Sequence, residues 1–344
     1  MVADDAANRP RLPLSRSQIL AYRRGVQALD ERLPPGATSL HHAAWAGLQD
    51  SMPRAALLSI HARVAGTRPD ALDDPSLVQI WGPRYSAYVI AAADVAPFTL
   101  GRLPDDERGR RRAEEMAARI GAFLDGREVR DRELARGLGV GNAIRYATTT
   151  GTVLIRWKGA TAPTVRSAPP PAVDPFEARL ELARRYLHLF GPTTPGAFAA
   201  WAGVALRGAG AAFDGLNREL VPARTPIGDG WILARDEPAF RAATGSVATV
   251  RLLPSGDTYF LLQGTDRKLL VPDADRRSLL WTSRVWPGAV LMAGEIVGTW
   301  RRADAVVAIE PWRRVSSSER AAIEDEAATL PLPVKNSIMV RWPG

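Results

Sequence analysis

The sequence predicts an α+β protein: three tandem winged helix-turn-helix units, then a small C-terminal β-barrel and a terminal helix. Three observations carry this expectation. Residues 102–172 order their local signals as helix, short helix, glycine turn, third helix and two-stranded ribbon, the winged-helix order. The segments on either side open with helix sets of the same logic. After Pro226 the texture changes to short apolar runs cut by Gly, Pro and Asp, as in a small barrel. The expected boundaries are 10–101, 102–172, 173–225 and 226–330, the last holding barrel and helix.

In the first segment Ile19, Tyr22, Val26 and Leu29 recur at helical spacing within 18–29. Pro34 and Pro35 end that region, because proline lacks an amide hydrogen and clashes with the preceding turn. Ser39 is the expected cap of a helix reaching Ala46, and Pro53 opens the next. Residues 77–81 are apolar, and 85–92 read as a short buried strand. In the second segment 110–123 is a helix and 130–137 a short one stopped by glycine. Asn142 is expected to cap a third, to about Thr148. Ribbon strands 152–157 and 164–167 follow, with a glycine turn at Gly159. Pro169, Pro170 and Pro171 make a stiff linker. In the third segment 176–190 is a helix, Thr194 caps 195–201, and another helix lies near 205–220. The barrel runs are 231–234, 247–253, 259–263, 269–271, 290–292, 295–300 and 305–309. Ser317 is the expected cap of the last helix, 317–330, with Arg320 within a turn of Glu324.

The length, 344 residues, allows two to three domains. With 46% hydrophobic and 24% charged residues, a disordered or collagen-like chain is excluded. The absence of cysteine excludes a disulfide framework, thiolate metal sites and cysteine nucleophiles. A formal charge of +8 favours polyanions, nucleic acid first. All but three of the 45 basic residues (Lys158, Lys268 and Lys335) are arginines, whose guanidinium binds phosphate and guanine edges bidentately. A GC-rich genome is the alternative origin of that bias. The excess is spread along the chain, so a folded surface must gather it. No apolar run approaches the roughly 20 residues that span a bilayer, and the first ten residues lack a secretory apolar core. The expectation is a soluble, cytoplasmic monomer. His41 and His42 are adjacent while His61 and His188 stand alone, so neither a metal nor a cofactor is expected.

Two stretches point to one family. Gly47-Leu48-Gln49-Asp50-Ser51-Met52-Pro53 is similar to a Gly-Leu-Gln-Ala-Gln-x-Pro segment, and Arg84 to Ile90, with Asp94 beyond, to an Arg-Gly-Thr-Leu-His-Leu-Val stretch ending at Asp. Leu252-Leu253-Pro254, Asp257, Asp266-Arg267, Trp286-Pro287-Gly288 and Gly294 to Arg302 fall in the same family order, as does Gly191-Pro192 before Trp201. Over roughly residues 15–330 the chain resembles the bacterial winged-helix DNA glycosylases of the AlkZ and YcaQ type. The resemblance implies tandem winged helices, a C-terminal barrel around a DNA channel, and excision of alkylated bases, in some members from interstrand crosslinks. Double-stranded DNA, alkylated or crosslinked, is the implied partner. The alternative is a non-catalytic winged-helix DNA binder, either a damage binder or a transcription regulator.

The resemblance assigns Gln49 to water and substrate, since an amide both donates and accepts. Ser51 replaces the second motif residue with a shorter, uncharged hydroxyl. Asp50 takes the normally apolar middle position and supplies a carboxylate only if turned inward; otherwise it is a solvated side chain or a cap near Pro53. Ser86 stands for the family Thr and Tyr88 for its His, which removes a near-neutral titration but keeps hydrogen bonding and stacking. Arg84, Ser86 and Tyr88 are expected to share one strand face, lining a pocket or touching phosphate; the alternative packs Tyr88 into the core. Arg145, Arg156, Lys158, Arg301 and Arg302 are further candidate DNA contacts, with alternation allowing one of the last two on any face. Trp281, Trp286, Trp300 and Trp312 are either barrel core or stacking platforms for bases.

Overall fold

The computed structural model describes residues 10–52, 54–158, 161–245, 247–332 and 337–343, which leaves the expected roles of Pro53 and Gly159 outside the described residues. After β1 (Leu12–Pro13), helix α1 (Arg16–Val26) starts on a capping box in which Ser15 and Gln18 satisfy each other's backbone amides. Helix α2 (Ala37–Ala43) begins directly after Gly36, at φ 148°, so Ser39 lies inside it and is buried rather than capping it. Strand β2 (Leu48–Gln49), helix α3 (Ala55–Arg63), β3 (Leu77–Trp81) and β4 (Ala87–Ala91) follow. The expected strand at 85–92 is shortened, because Pro83–Tyr85 form a 3-10 turn with Arg84 and Tyr85 at φ 54° and 57°.

Next come α4 (Val95–Phe98), α5 (Glu107–Leu124), β5 (Val129–Arg130) and α6 (Asp131–Leu138). The third helix is a 3-10 segment, Gly141–Thr150, with no side-chain cap, so Asn142 does not initiate it. Strands β6 (Val153–Arg156) and β7 (Thr164–Ser167) pair antiparallel as expected. This ribbon does not stand alone. Gln79 pairs with Ile155, joining it to the first segment in a six-stranded sheet of order β2-β4-β3-β6-β7-β5.

Helices α7 (Pro175–Phe190), α8 (Pro195–Ala202) and α9 (Leu206–Gly215) form the third set, with Thr194 accepting from the Ala197 amide as its sequence position predicts. Strands β8 (Leu220–Thr225) and β9 (Gly228–Leu233) make a hairpin that β1 joins in parallel. Residues 231–233, expected in the barrel, therefore belong to this hairpin. After α10 (Glu237–Ala242) the chain forms β10 (Val250–Leu253), α11 (Arg267–Leu270), α12 (Ala274–Leu280), β11 (Gly288–Met292), β12 (Glu295–Ala303), β13 (Val306–Pro311), α13 (Ser317–Ala328) and β14 (Met339–Arg341). The last sheet runs β10-β11-β12-β13-β14, with no pairing of β10 to β14 among the described residues, a half-barrel rather than a closed one. Two expected strands are absent from it: 259–263 starts as a 3-10 turn at Thr258–Phe260, and 269–271 falls on α11. Short apolar runs do not distinguish strand from buried helix by periodicity. Ser316, not Ser317, caps α13, and Arg320 lies over the Trp342 ring at 4.8 Å instead of pairing with Glu324.

The Gly294-to-Arg302 block now has a physical reason. Ala293 and Gly294, at φ 48° and 83°, turn β11 into β12, the left-handed geometry that tight hairpins require. A side chain at Gly288 would collide with the Trp300 indole, whose Nε1 donates to the Leu253 carbonyl at 2.8 Å.

One ion pair ties the half-barrel to the first segment. Arg63, 2% exposed, donates Nη1 and Nη2 to the two oxygens of Asp257 at 2.7 and 2.8 Å, and also to the Ser59 carbonyl and Gln27 Oε1. Asp257→Ala should cost roughly 3–5 kcal/mol, because it strands a buried guanidinium. Denaturant unfolding measures this, and the double change Arg63→Met with Asp257→Leu should recover much of the loss.

Candidate active site

Strand β2 pairs antiparallel with β4, placing Leu48 opposite Val89 and Gln49 opposite Tyr88. Alternation then sends Gln49 to one face of the sheet and Leu48 and Asp50 to the other. On the first face Gln49 Nε2 donates to Ser51 Oγ at 3.1 Å. Gln49 Oε1 is buried and has no hydrogen-bond partner among the described residues. Gly256, at φ 75°, holds the other side of the amide: a Cβ there would stand 3.2 Å from Gln49 Cδ. The side chain is thus wedged between β4 and the 254–257 turn, and Asp257 fixes that turn through Arg63. Sequence reasoning missed Gly256; the Ser-Gly-Asp turn at 255–257 was its available signal.

Asp50 is turned inward on the opposite face, 3% exposed. Its amide donates to the Ala87 carbonyl at 2.8 Å, prolonging the strand pairing. Oδ1 accepts from the Ala56 amide at 3.1 Å, in the first turn of α3, and Oδ2 from Gln79 Nε2 at 3.2 Å. Burial pushes its pKa up to about 7, outweighing the Ala56 hydrogen bond, the Arg54 charge and the Gln79 hydrogen bond, which act the other way. A solvated Asp50 is therefore excluded, while the capping alternative is realised on α3.

Tyr88 is a correction. It is fully buried, its ring packed where side chains on Gly47 or Gly82 would stand, and burial raises its pKa to about 12. A residue so enclosed has no surface for DNA. Arg84 and Ser86 precede β4 rather than sharing its face; Arg84 is exposed and Ser86 half-buried. Arg267, another residue without a role in the sequence reading, lies 5.1 and 5.3 Å from the Trp281 and Trp286 rings. Burial and the charge of Arg84 hold its guanidinium below the usual range. Trp281 and Trp300 are core, donating to the carbonyls of Phe260 and Leu253, whereas Trp286 and Trp312 are partly exposed.

The other candidate contacts are dispersed. Arg145 is half-buried over Trp81 at 5.9 Å. Arg156 and Lys158 both approach Asp73, at 2.7 and 3.6 Å. Arg301 is exposed and donates to the Val285 carbonyl, while Arg302, half-buried, feels the charge of Arg54. Among the described residues no group of three or more His, Asp or Glu could hold a metal, and no helix is long and apolar enough to cross a membrane.

The six-stranded sheet, the helices around it and the half-barrel make a fold already seen in a DNA glycosylase. The Streptomyces sahachiroi DNA glycosylase AlkZ has this fold, with TM-score 0.77 and 18% identity over 96% of this chain and 100% of that one. An interstrand DNA cross-link repair glycosylase of Streptomyces sahachiroi is 24% identical over 357 residues, covering 90% of this chain and 94% of its own. The family model for DNA glycosylase AlkZ-like proteins matches residues 43–331, and the chain belongs to that family.

Asp50 makes stability depend on pH. An ordinary aspartate, near 3.8 as in the unfolded chain, binds its proton more weakly than the folded site at about 7. The stabilisation from this proton is complete below 3.8 and lost as pH rises through about 7. Relative to Asp50→Asn, which does not titrate, the protein should lose on the order of a few kcal/mol across that window. Urea unfolding of both proteins at a series of pH values checks the sign; parallel curves would show an unshifted carboxyl.

Proposed function

We propose that the protein is a monofunctional glycosylase that hydrolyses the N-glycosidic bond of alkylated bases in double-stranded DNA, interstrand crosslinks included, and that it acts as a monomer. The observation that carries this reading is Gln49: its Nε2 is engaged by Ser51 while its Oε1 is buried with no partner among the described residues. An N-alkylated purine is cationic and needs little acid to leave. The enzyme must extrude the nucleotide, hold water and stabilise an oxocarbenium-like sugar. With the amide fixed by Ser51 and Gly256, Oε1 is an acceptor for the attacking water. Arg84, Arg267, Arg145, Arg156, Lys158, Arg301 and Arg302 supply the backbone contacts. The order of 107–167, helix through ribbon with β5 as a third strand, supports a winged-helix unit there, and α7 to β9 support another.

Gln49→Ala should slow base release by about 10²–10³, the scale on which loss of one preorganised polar contact acts. Ser51→Ala should cost less, since Ser51 only orients the amide, and Ser51→Gln should leave the rate unchanged or higher. The measurement is formation of abasic sites in N7-alkylguanine DNA, read by strand cleavage in mild base. Tight binding without release would instead identify a damage binder.

Affinity for duplex DNA should fall steeply with salt, as counterion release by several arginines demands. Fluorescence anisotropy at two salt concentrations tests this. Binding that ignores salt, or is absent at low salt, removes the DNA reading altogether.

A further inference from the structure

The face of the sheet opposite Gln49 holds a second site. A cavity of about 210 Å³ opens there beside Asp50, walled by Val89, Ile155 and Trp157. It is smaller than the roughly 300–1,000 Å³ of drug-sized pockets, which suits a single base. We propose that this cavity is a nucleotide site that receives a guanine edge, two adjacent N–H donors, on the Asp50 carboxylate.

Three observations converge. The first is acceptor capacity. Each carboxylate oxygen has two acceptor positions, and Ala56 and Gln79 take one on each. One acceptor per oxygen is left, and two parallel acceptors match the N1–H and 2-amino donors of guanine. Gln79 is not itself a ligand, because its Nε2 also donates to the Trp157 carbonyl and its Oε1 accepts from the Trp157 amide. It orients Asp50 and fixes Trp157 together.

The second is shape. Val89 and Ile155 are buried apolar residues, and the Trp157 indole is held by its Nε1 bond to the Thr161 carbonyl at 2.7 Å. A flat heterocycle fits against a fixed indole. The third is charge. Arg54, Arg156, Lys158 and Arg166 line the same cavity, and among the described residues that line it Asp73 is the only acidic one besides Asp50. A buried acceptor surrounded by cations fits a ligand that carries N–H donors on its base and negative charge on its phosphate. The source is either a free nucleotide or a guanine exposed in DNA.

Calorimetric titration of the full-length protein with dGMP and dIMP at a pH above about 7, where Asp50 is ionised, tests the proposal. The two probes differ only in the 2-amino group, so dGMP should bind about tenfold tighter, and equal affinities or no binding of dGMP would overturn it. Asp50→Asn should abolish the preference. Asn can still accept from Ala56, but its Nδ2 would face Gln79. If that variant fails to fold, Lys158→Ala with Arg166→Ala, both exposed, should weaken dGMP while leaving guanosine binding unchanged; no effect on dGMP counts against the site. A thymine oligonucleotide with one central guanine separates the sources. Binding tighter than dGMP, and displaced by it, assigns the site to DNA, whereas weaker binding assigns it to free nucleotide. Gln49→Ala should keep dGMP binding while losing base release, so the two readings fail independently.

Discussion

The buried Arg63–Asp257 pair is the constraint on which the site's geometry rests. Its two charges lie deep in the interior, where an unpaired ion is not tolerated, so α3 and the turn after β10 have to meet in one orientation. The guanidinium is satisfied further by Ser59 and Gln27, which locks α3 to α1 as well. At the other end of the same helix Asp50 takes the Ala56 amide. All nine residues of α3 are buried, and both of its ends are gripped by charged groups from outside it. Gly256 inherits its place against Gln49 from this arrangement, one residue away from Asp257.

The six-stranded sheet carries the arrangement across the molecule. Because β3 pairs with both β4 and β6, the strand bearing Gln79 connects the motif strand to the ribbon that ends near Trp157. A displacement of the ribbon would be felt at Asp50 through one glutamine side chain. On the half-barrel side Trp300 reaches back to Leu253, next to the 254–257 turn, so β12 supports the same turn from below. Arg267, stacked on Trp281 and Trp286 and close to Arg84, brings positive charge from the C-terminal part to the first.

Much of this was legible in the sequence, for identifiable reasons. The helix at 16–26, the ribbon at 164–167 and the Thr194 cap depend on local periodicity and capping chemistry, which act over a few residues. What failed to show was set by distant partners. Tyr88 is buried because Gly47 and Gly82 leave room for its ring, which decides between the two placements that the sequence left open. The run at 259–263 is as apolar as a strand, but Asp257 accepts from the Tyr259 amide and winds the chain into a 3-10 turn instead.

Strand β2 is only two residues long and lies at the sheet's edge, yet it acts as a partition. Gln49 and Asp50 are neighbours in the chain and strangers in space, since the pleat gives each its own side. Alternate positions can therefore change separately: the residue at 51 can vary with chemistry on one side while the residue at 50 is retained by a helix on the other. Inserting or deleting a single residue just before Gln49 would exchange the two faces at once. Such a segment tolerates substitution and is intolerant of any change in length.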